Sequence, residues 1–313
     1  MIKKINVLST FHGLGAASVA LKRLGIPISR VNMYVSEIDA YCIMVVKKRF
    51  PDTIFLGDIR NIKGEDLPRI DIMFGGSPCQ NLSGAGNKDG MSTETGDKML
   101  SYASYKKYMK KNKKMTESSL FYEFIRLKNE VKPPYFLFEN VKMSKFWEDV
   151  ISWELGVRPL KINSQLVSAQ HRERWYWTNI PGASIPRDKN IKLGDVIPGA
   201  ITGWGKRNRS TDKLKPNGKK VWNPTITTNE DGKSYCITTG KTMCHKIVMK
   251  DKSVRFLTVD EAELLQTLPK GYTKVGRITD TARWKMVGNS WTVDVIVHLL
   301  KPIKNILLGK KKI

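Results

Sequence analysis

The chain has 313 residues, 41% hydrophobic and 27% charged, a balance that supports one substantial core with a smaller attached region and excludes a wholly disordered chain. Lys and Arg total 54 against 29 Asp and Glu, for a formal net charge of +25, and a field of that sign favours a polyanionic partner, DNA or RNA. No apolar run reaches the roughly 18 residues of a membrane span. The four cysteines, Cys42, Cys79, Cys236 and Cys244, are too sparse for a disulfide scaffold, and no secretory signal precedes the first predicted strand, so a reducing cytoplasmic compartment is expected. Cys236, Cys244 and His245 lack a paired CxxC framework, and no metal is expected.

Lys4 to Ser9 contains the apolar run INVL, followed by FHGLGAASVALKRLG, where Gly13 and Gly15 precede helical apolar spacing through Val19, Leu21 and Leu24. This predicts strand, glycine turn, helix. VNMYVSEID (Val31 to Asp39) predicts a second strand ending in acids, TIFLGDI (Thr53 to Ile59) a third ending at Asp58, and IDIMFGG (Ile70 to Gly76) a fourth. Helices are predicted over Ala40 to Arg49 and Leu120 to Asn129, and another strand over Pro133 to Val141. Lys161 to Val167 and Trp175 to Asn179 read as strands flanking SAQHRER. The alternation predicts an α/β fold with a parallel sheet covered on both faces and a ligand site beyond the strand C-termini. Residues 182–250, rich in Gly, Pro, Asn, Thr and Lys, predict a second lobe of short strands and loops. Helices over Val259 to Thr267 and Val293 to Leu300 then return the chain to the first domain. The expected division is a catalytic domain over 1–181, the lobe over 182–250 and a returning segment over 251–313.

The glycine turn lets a ligand approach the backbone, and the helix after it adds a partial positive charge. FxGxG departs from the longer dinucleotide fingerprint. Glu37 and Asp58 at later strand ends fit a nucleoside cofactor, whose ribose hydroxyls and adenine amine need acceptors; a solvated strand-end acid is the plain alternative for Glu37.

Cys79 lies in GGSPCQNLSGAG, where Gly75 and Gly76 suggest a flexible strand exit and Pro78 turns Ser77 away from helix. A cysteine presented there can serve as a nucleophile. Carbon 5 of cytosine is a poor nucleophile, but thiolate addition at carbon 6 makes it enamine-like and able to take a sulfonium methyl. Such a step needs a group at ring nitrogen 3 and the exocyclic amine, and Glu139 in FENV suits it. Arg172 and Arg174 in QHRER alternate along an extended segment, which would place both guanidinium groups on one face. One can address the cytosine carbonyl or the nucleophile loop, and the other can orient Glu139 or contact phosphate.

Together these segments resemble the DNA (cytosine-5)-methyltransferase family over nearly the whole chain. FHGLG looks like the first cofactor motif, which implies Phe11 against adenine and the Gly13 and Gly15 backbone near the methionine moiety. Glu37 with Ile38 is similar to the ribose-binding acid and its adenine-packing neighbour, and Asp58 with Ile59 to the acid that addresses the adenine amine. SPCQ matches the nucleophile motif at Cys79, SSLF the next cofactor motif around Leu120, and ENV the motif at Glu139, Asn140 and Val141. QHRER supplies Gln170, Arg172 and Arg174, RFLTVDEAELLQTLP resembles the segment that closes the second lobe on the first, and GNS resembles the final motif, with Asn289 and Ser290 at the cofactor pocket.

The resemblance implies a Rossmann-like methyltransferase domain that uses S-adenosyl-L-methionine (SAM), with a small, mostly β and loop target-recognition lobe. It also implies double-stranded DNA as partner, a flipped target cytosine, no metal, and a monomer serving restriction-modification or phage genome protection. Cytosine-5 methylation of tRNA is the alternative activity, and a catalytically silent DNA-binding protein would not need Cys79, Glu139, Arg172 and Arg174 together.

The departures are His12, where a small residue is common in the family, and Trp291 after GNS, which together with SAQHRERWYWTNIP is similar to the de novo eukaryotic branch and some phage enzymes. Between Leu82 and Ser118 the chain is longer than a minimal catalytic loop. There Lys106, Lys107, Lys110, Lys111, Lys113 and Lys114 occur with no acid between Ser101 and Lys114, and a DNA-contacting loop is expected. In the second lobe Lys206, Arg207, Arg209 and Lys213 are candidates for phosphate or major-groove contacts.

Overall fold

A computed structural model describes residues 4–78, 90–92, 97–111, 117–214, 220–239 and 246–310, with the backbone alone for residue 111 and for 205–214 and 220–227. Cys79, Lys113, Lys114, Cys244 and His245 lie outside the described residues. The chain divides into two compact units, the first formed by Met1–Ile162, Glu173–Pro186 and Val293–Ile313, the second by Asn163–Arg172 and Arg187–Thr292.

The first unit opens with β1 (Ile5–Thr10), α1 (Ala16–Arg23), β2 (Val31–Ser36), α2 (Ala40–Arg49), β3 (Ile54–Gly57) and β4 (Ile72–Gly75). It continues through α3 (Tyr102–Lys111), α4 (Phe121–Val131), β5 (Tyr135–Val141), α5 (Lys145–Leu155), β6 (Leu160–Asn163) and β7 (Glu173–Thr178). The seven strands form one sheet in the order β3-β2-β1-β4-β5-β7-β6. β1 pairs in parallel with β2 and β4, β2 with β3, and β4 with β5, whereas β7 runs antiparallel to β5. The sheet is therefore mixed at one side, and the strand order reverses between β1 and β4, where open α/β sheets form their ligand crevice.

The near-continuous apolar strands are buried on both faces, as a helix-covered sheet requires. The core beneath α4 is aromatic: Phe138 lies 5.3 Å from Phe121, 4.9 Å from Phe124 and 6.1 Å from Trp177 between ring centroids. Full burial of side chains this large stabilises the fold by about 3 kcal/mol each.

Local chemistry sets the element ends. The second strand stops at Ser36 rather than Asp39 because Asp39 accepts from the Tyr41 and Cys42 amides and caps α2. The third stops at Gly57 because Asp58 caps a short 3-10 turn over Ile59–Asn61. The strand expected through Val167 ends at Asn163, whose side chain accepts from the Gln165 amide and opens another turn. Gly75 is not a flexible exit. It is the last residue of a buried strand, and a Cβ there would lie 2.4 Å from Phe124 and 2.8 Å from Thr10 Oγ1, so glycine is required by close packing.

The second unit holds α6 (Leu193–Val196), β8 (Ala200–Leu214), β9 (Lys220–Thr228), β10 (Lys246–Met249), β11 (Val254–Phe256), α7 (Val259–Leu265) and α8 (Asp280–Asn289). Its four strands form an antiparallel sheet in the order β11-β10-β8-β9. β8 spans 15 residues and β9 spans 9, longer than the short strands expected there. Their polar sequence carries little alternation, and backbone pairing over eight registered positions defines them instead. The unit is also wider than residues 182–250. Ser168 Oγ and Gln170 Nε2 donate to the Leu265 carbonyl at 2.5 and 2.6 Å, which ties the Asn163–Arg172 segment and α7 into one body.

The chain re-enters the first unit with α9 (Val293–Leu300) and α10 (Lys304–Leu307); α9 lies along α1, with Arg23 paired to Asp294 at 2.5 Å. Among the described residues, no helix is long and apolar enough to cross a membrane and no cluster of metal-ligating side chains occurs.

Candidate active site

Since β1 to β5 are parallel, the residues just beyond them share one edge of the sheet. Phe11, Gly13 and Gly15 come after β1, Glu37 and Ile38 after β2, Asp58 and Ile59 after β3, and Glu139 lies near the end of β5. The topology thus gathers the residues that are scattered through the first half of the sequence.

The turn after β1 is left-handed at Phe11 (φ 52°), Gly13 (φ 59°) and Gly15 (φ 94°), and Gly15 caps α1. Nothing lies within 4 Å of the point where a Cβ of Gly13 would stand, so the turn presents bare backbone to open space. The Gly13 amide donates to Glu37 Oε2 at 2.6 Å, and the Ile38 and Asp39 amides donate to Oε1 at 2.8 Å each. Glu37 is therefore locked by three backbone donors, while the neighbouring Ile38 side chain is 70% exposed. Phe11 and Leu120 are half-buried against the aromatic core together with Tyr34 and Leu56.

Asp58 accepts from the Arg60 amide and guanidinium, and the hydrogen bond from that guanidinium holds its carboxyl below the usual carboxylate range. The Ile59 side chain points into the core. Its carbonyl accepts from Arg126 Nη2 at 2.9 Å, and the Ile62 carbonyl accepts from Arg126 Nη1 at 2.8 Å. Arg126 thus fixes the turn that carries Asp58, a role no sequence signal marks on an amphipathic helix.

His12 is buried between Ser9 Oγ, 2.8 Å from Nδ1, and Ser18 Oγ, 3.3 Å from Nε2. Burial pushes its pKa down to about 4, so the ring is neutral. An unfolded imidazole titrates near 6.5 and takes up its proton first as the pH falls. Stability from this group is complete above about pH 6.5 and falls by about 1.4 kcal/mol per unit, to a loss of about 3 kcal/mol near pH 4. Urea titrations of wild type and His12→Ser at pH 7 and pH 4.5 should show the wild type losing about 2–3 kcal/mol more than the variant. Equal losses would contradict the neutral, buried ring.

At the other side of the switch point, Asn140 Nδ2 donates to both the carbonyl and Oγ of Ser77 at 3.3 Å. Ser77 stands two residues before Cys79, so a wholly buried amide anchors the approach to the proposed nucleophile. The ENV motif marked Asn140, but its task is visible only in the fold. Beside it Glu139, 8% exposed, has Arg174 Nε 3.3 Å from Oε1, set up by antiparallel pairing in which Val141 faces Arg174.

The two arginines of QHRER have different partners. Arg174 lies on β7, whereas Arg172 precedes it and belongs to the second unit. The buried Arg172 guanidinium donates to the carbonyls of Ile237 at 2.9 Å, Gly288 at 3.0 Å and Ser290 at 2.7 Å. It is a clasp on two backbone segments, one at Ile237 and one at Gly288–Ser290. Asn289 and Ser290 belong to that clasped segment, and Gly288 is required there because a Cβ would stand 2.5 Å from the Thr238 carbonyl oxygen. A cavity of about 440 Å³ lined by Ile26, Val31, Met33, Phe50 and Thr53 lies at the strand N-termini, the opposite edge of the sheet, and takes no part in the site.

Residues 5–105, 98–180 and 144–305 match the family of C-5 cytosine-specific DNA methylases. The chain belongs to this family. The type II methyltransferase M1.ScrFI of Lactococcus lactis subsp. cremoris is 26% identical over 99% of this chain and 80% of its own length, and M.FnuDI of Fusobacterium nucleatum is 26% identical over 99% and 97%. The orphan methyltransferase M.SPBetaI of Bacillus phage SPbeta is 33% identical over 45% of this chain and 34% of its own. In fold, the methyltransferase resembles the crystal structure of Spodoptera frugiperda DNMT2, with a TM-score of 0.64 at 16% identity over 96% of this chain and 99% of that one.

The methyltransferase uses SAM to methylate carbon 5 of cytosine in DNA. The residues at the strand ends fit that cofactor. Glu37 and Asp58 carry carboxylate acceptors of the kind that ribose hydroxyls and an adenine amine need, Ile38 and Phe11 carry apolar side chains, and the Gly13 turn is open.

Proposed function

We propose that Cys79 is the nucleophile and that Glu139 and Arg174 activate the cytosine ring. The flipped base enters beyond the C-termini of β4 and β5. Cys79 Sγ, as thiolate, adds to carbon 6. Glu139 gives or shares a proton at ring nitrogen 3, which takes up the electron pair displaced by the addition, and accepts from the exocyclic amine. SAM, when bound, supplies the methyl group as a sulfonium. Carbon 5 takes that methyl as its bond to the sulfonium sulfur breaks and leaves a neutral thioether; a base then removes the carbon 5 proton, that electron pair re-forms the ring double bond and expels Sγ as thiolate, and ring nitrogen 3 returns its proton to Glu139.

Arg174 holds one carboxyl oxygen of Glu139, so the acid is oriented before the base arrives. Arg172 positions backbone in the second unit and is not assigned to the ring. Phe11, Gly13, Gly15, Glu37, Ile38, Asp58, Leu120, Asn289 and Ser290 are the residues we assign to SAM, with Ile59 acting through its backbone. Within the second unit the sheet that carries Lys206, Arg207, Arg209 and Lys213 is the target-reading surface; their side chains lie outside the described residues. The type II and phage relatives support a role in restriction-modification or genome protection, and we take the enzyme to act as a monomer on duplex DNA.

The observation that carries this reading is the pair of adjacent anchors on β5, Asn140 on Ser77 and Glu139 on Arg174, which ties the residue two before Cys79 to the strand that carries a paired carboxylate. Incubation with methyl-labelled SAM should label DNA at cytosine carbon 5 and leave tRNA unlabelled, with bisulfite sequencing showing the target context. Labelled tRNA without labelled DNA would overturn the substrate.

A further inference from the structure

Where a DNA-contacting loop is expected, the described part of the lysine-rich insertion is helical. Tyr102–Lys111 forms α3, and its side chains divide cleanly. Tyr105 is 4% exposed, stacks on Tyr122 at 5.2 Å between centroids and donates its hydroxyl to the buried Glu123 carboxylate at 2.5 Å. Burial, reinforced by that carboxylate, pushes the Tyr105 hydroxyl far above its usual pKa, so it stays a donor. Tyr102, Tyr108 and Met109 pack on the same core, the Tyr102 amide donates to Glu154 Oε1 at 2.7 Å, and the Tyr122 hydroxyl donates to the Met99 carbonyl at 2.6 Å just ahead of the helix. Glu123 in turn binds Arg126 at 2.7 Å. The helix is thus fastened to α4 by its tyrosines.

Ala103, Lys106, Lys107 and Lys110, at helical spacing, are exposed on the other side. Three of these four positions are cations and the helix contains no acid. Among the described residues, no ion pair is formed by Lys106, Lys107 or Lys110; Lys106 lies over the Tyr102 ring at 5.4 Å from its centroid. A basic face that intramolecular acids do not neutralise, held rigid by buried tyrosines, carries little ordering cost when it meets an anion.

We propose that the exposed face of α3 is a preformed clamp for the phosphate backbone of duplex DNA, with Lys106, Lys107 and Lys110 as its contacts. The assignment of DNA rather than another polyanion rests on the proposed function, because the insertion lies between the SPCQ and SSLF segments of the same catalytic unit. Contacts of this kind carry no sequence information. They displace condensed counterions and therefore appear in the salt dependence of binding, each steepening the slope of log Kd against log salt by about 0.9.

The test compares wild type, Lys106→Gln/Lys107→Gln/Lys110→Gln, and a charge-matched control, Lys48→Gln/Lys132→Gln/Lys301→Gln, at exposed sites elsewhere in the first unit. The probe is a duplex oligonucleotide that carries a methylated site, titrated between about 50 and 200 mM salt, with tRNA as a second probe. The expected result is a slope on duplex DNA lower by about 2–3 for the α3 variant alone, with SAM binding unchanged. A slope equal to that of wild type, an equal fall in the control, or a fall confined to tRNA would overturn the clamp. Failure of the functional reading shows separately, as wild-type protein that transfers no methyl to DNA.

Discussion

Cys79→Ala is expected to lower methyl transfer to DNA by at least about 10⁴-fold while SAM binding stays within a few-fold of wild type. The magnitude comes from the chemistry of the acceptor. Without sulfur at carbon 6, carbon 5 belongs to an aromatic ring with little nucleophilic character, and orientation by the remaining residues cannot supply the missing electron pair. SAM binding survives because Cys79 is not among the residues assigned to it, and Glu37 and Asp58 after β2 and β3 are held by backbone donors of their own. The same experiment has a positive counterpart. DNA containing 5-fluorocytosine has no proton to lose at carbon 5 after methylation, so wild-type enzyme should be trapped covalently and Cys79→Ala should not. Undiminished turnover in the variant, or trapping through another residue, would remove Cys79 from the mechanism.

The second large effect is expected at Glu139. Glu139→Gln keeps the volume and one acceptor but cannot deliver a proton to ring nitrogen 3, and kcat should fall by about 10²–10⁴-fold. Formation of the 5-fluorocytosine adduct should slow in parallel, because protonation assists the addition of sulfur itself. Arg174 loses its counter-charge in this variant, so the thermal midpoint is measured with the kinetics. A folded variant whose kcat stays within tenfold of wild type would show that the carboxyl merely supports the strand. Arg174→Ala should disturb the acid through its orientation, raising KM and lowering kcat less than Glu139→Gln does.

Much of this is legible without the fold. Strands end where a side chain can cap the next turn or helix, and acids placed just after apolar runs mark Glu37 and Asp58 before any topology is known. Helix α2 and helix α9 follow from apolar spacing alone and have the bounds expected. Other elements are hidden for physical reasons. The α3 pattern has tyrosines on its apolar side and lysines on the other, so the segment reads as a basic DNA-contacting loop until Tyr105 is seen to bury its ring against Tyr122. Helix α5 and helix α8 have no counterpart among the predicted elements, although Gly156 ends the first and Thr279 caps the second. Likewise β8 and β9 owe their length to pairing with each other, which no single strand records.

By itself the sequence determined which chemistry is present: a thiol after Ser-Pro, a carboxylate after an apolar strand, acids and a glycine turn suited to a nucleoside, and a charge of +25 suited to a nucleic acid. Those are properties of residue type and order, and they survive any arrangement of the chain. Only the tertiary structure decided how the work is shared. It gave Arg174 to Glu139 and turned Arg172, two residues away, into a clasp on the carbonyls of Ile237, Gly288 and Ser290. The reason is that a guanidinium's task is fixed by whichever acceptors long-range packing brings within hydrogen-bond distance, and these acceptors stand 65, 116 and 118 residues away along the chain.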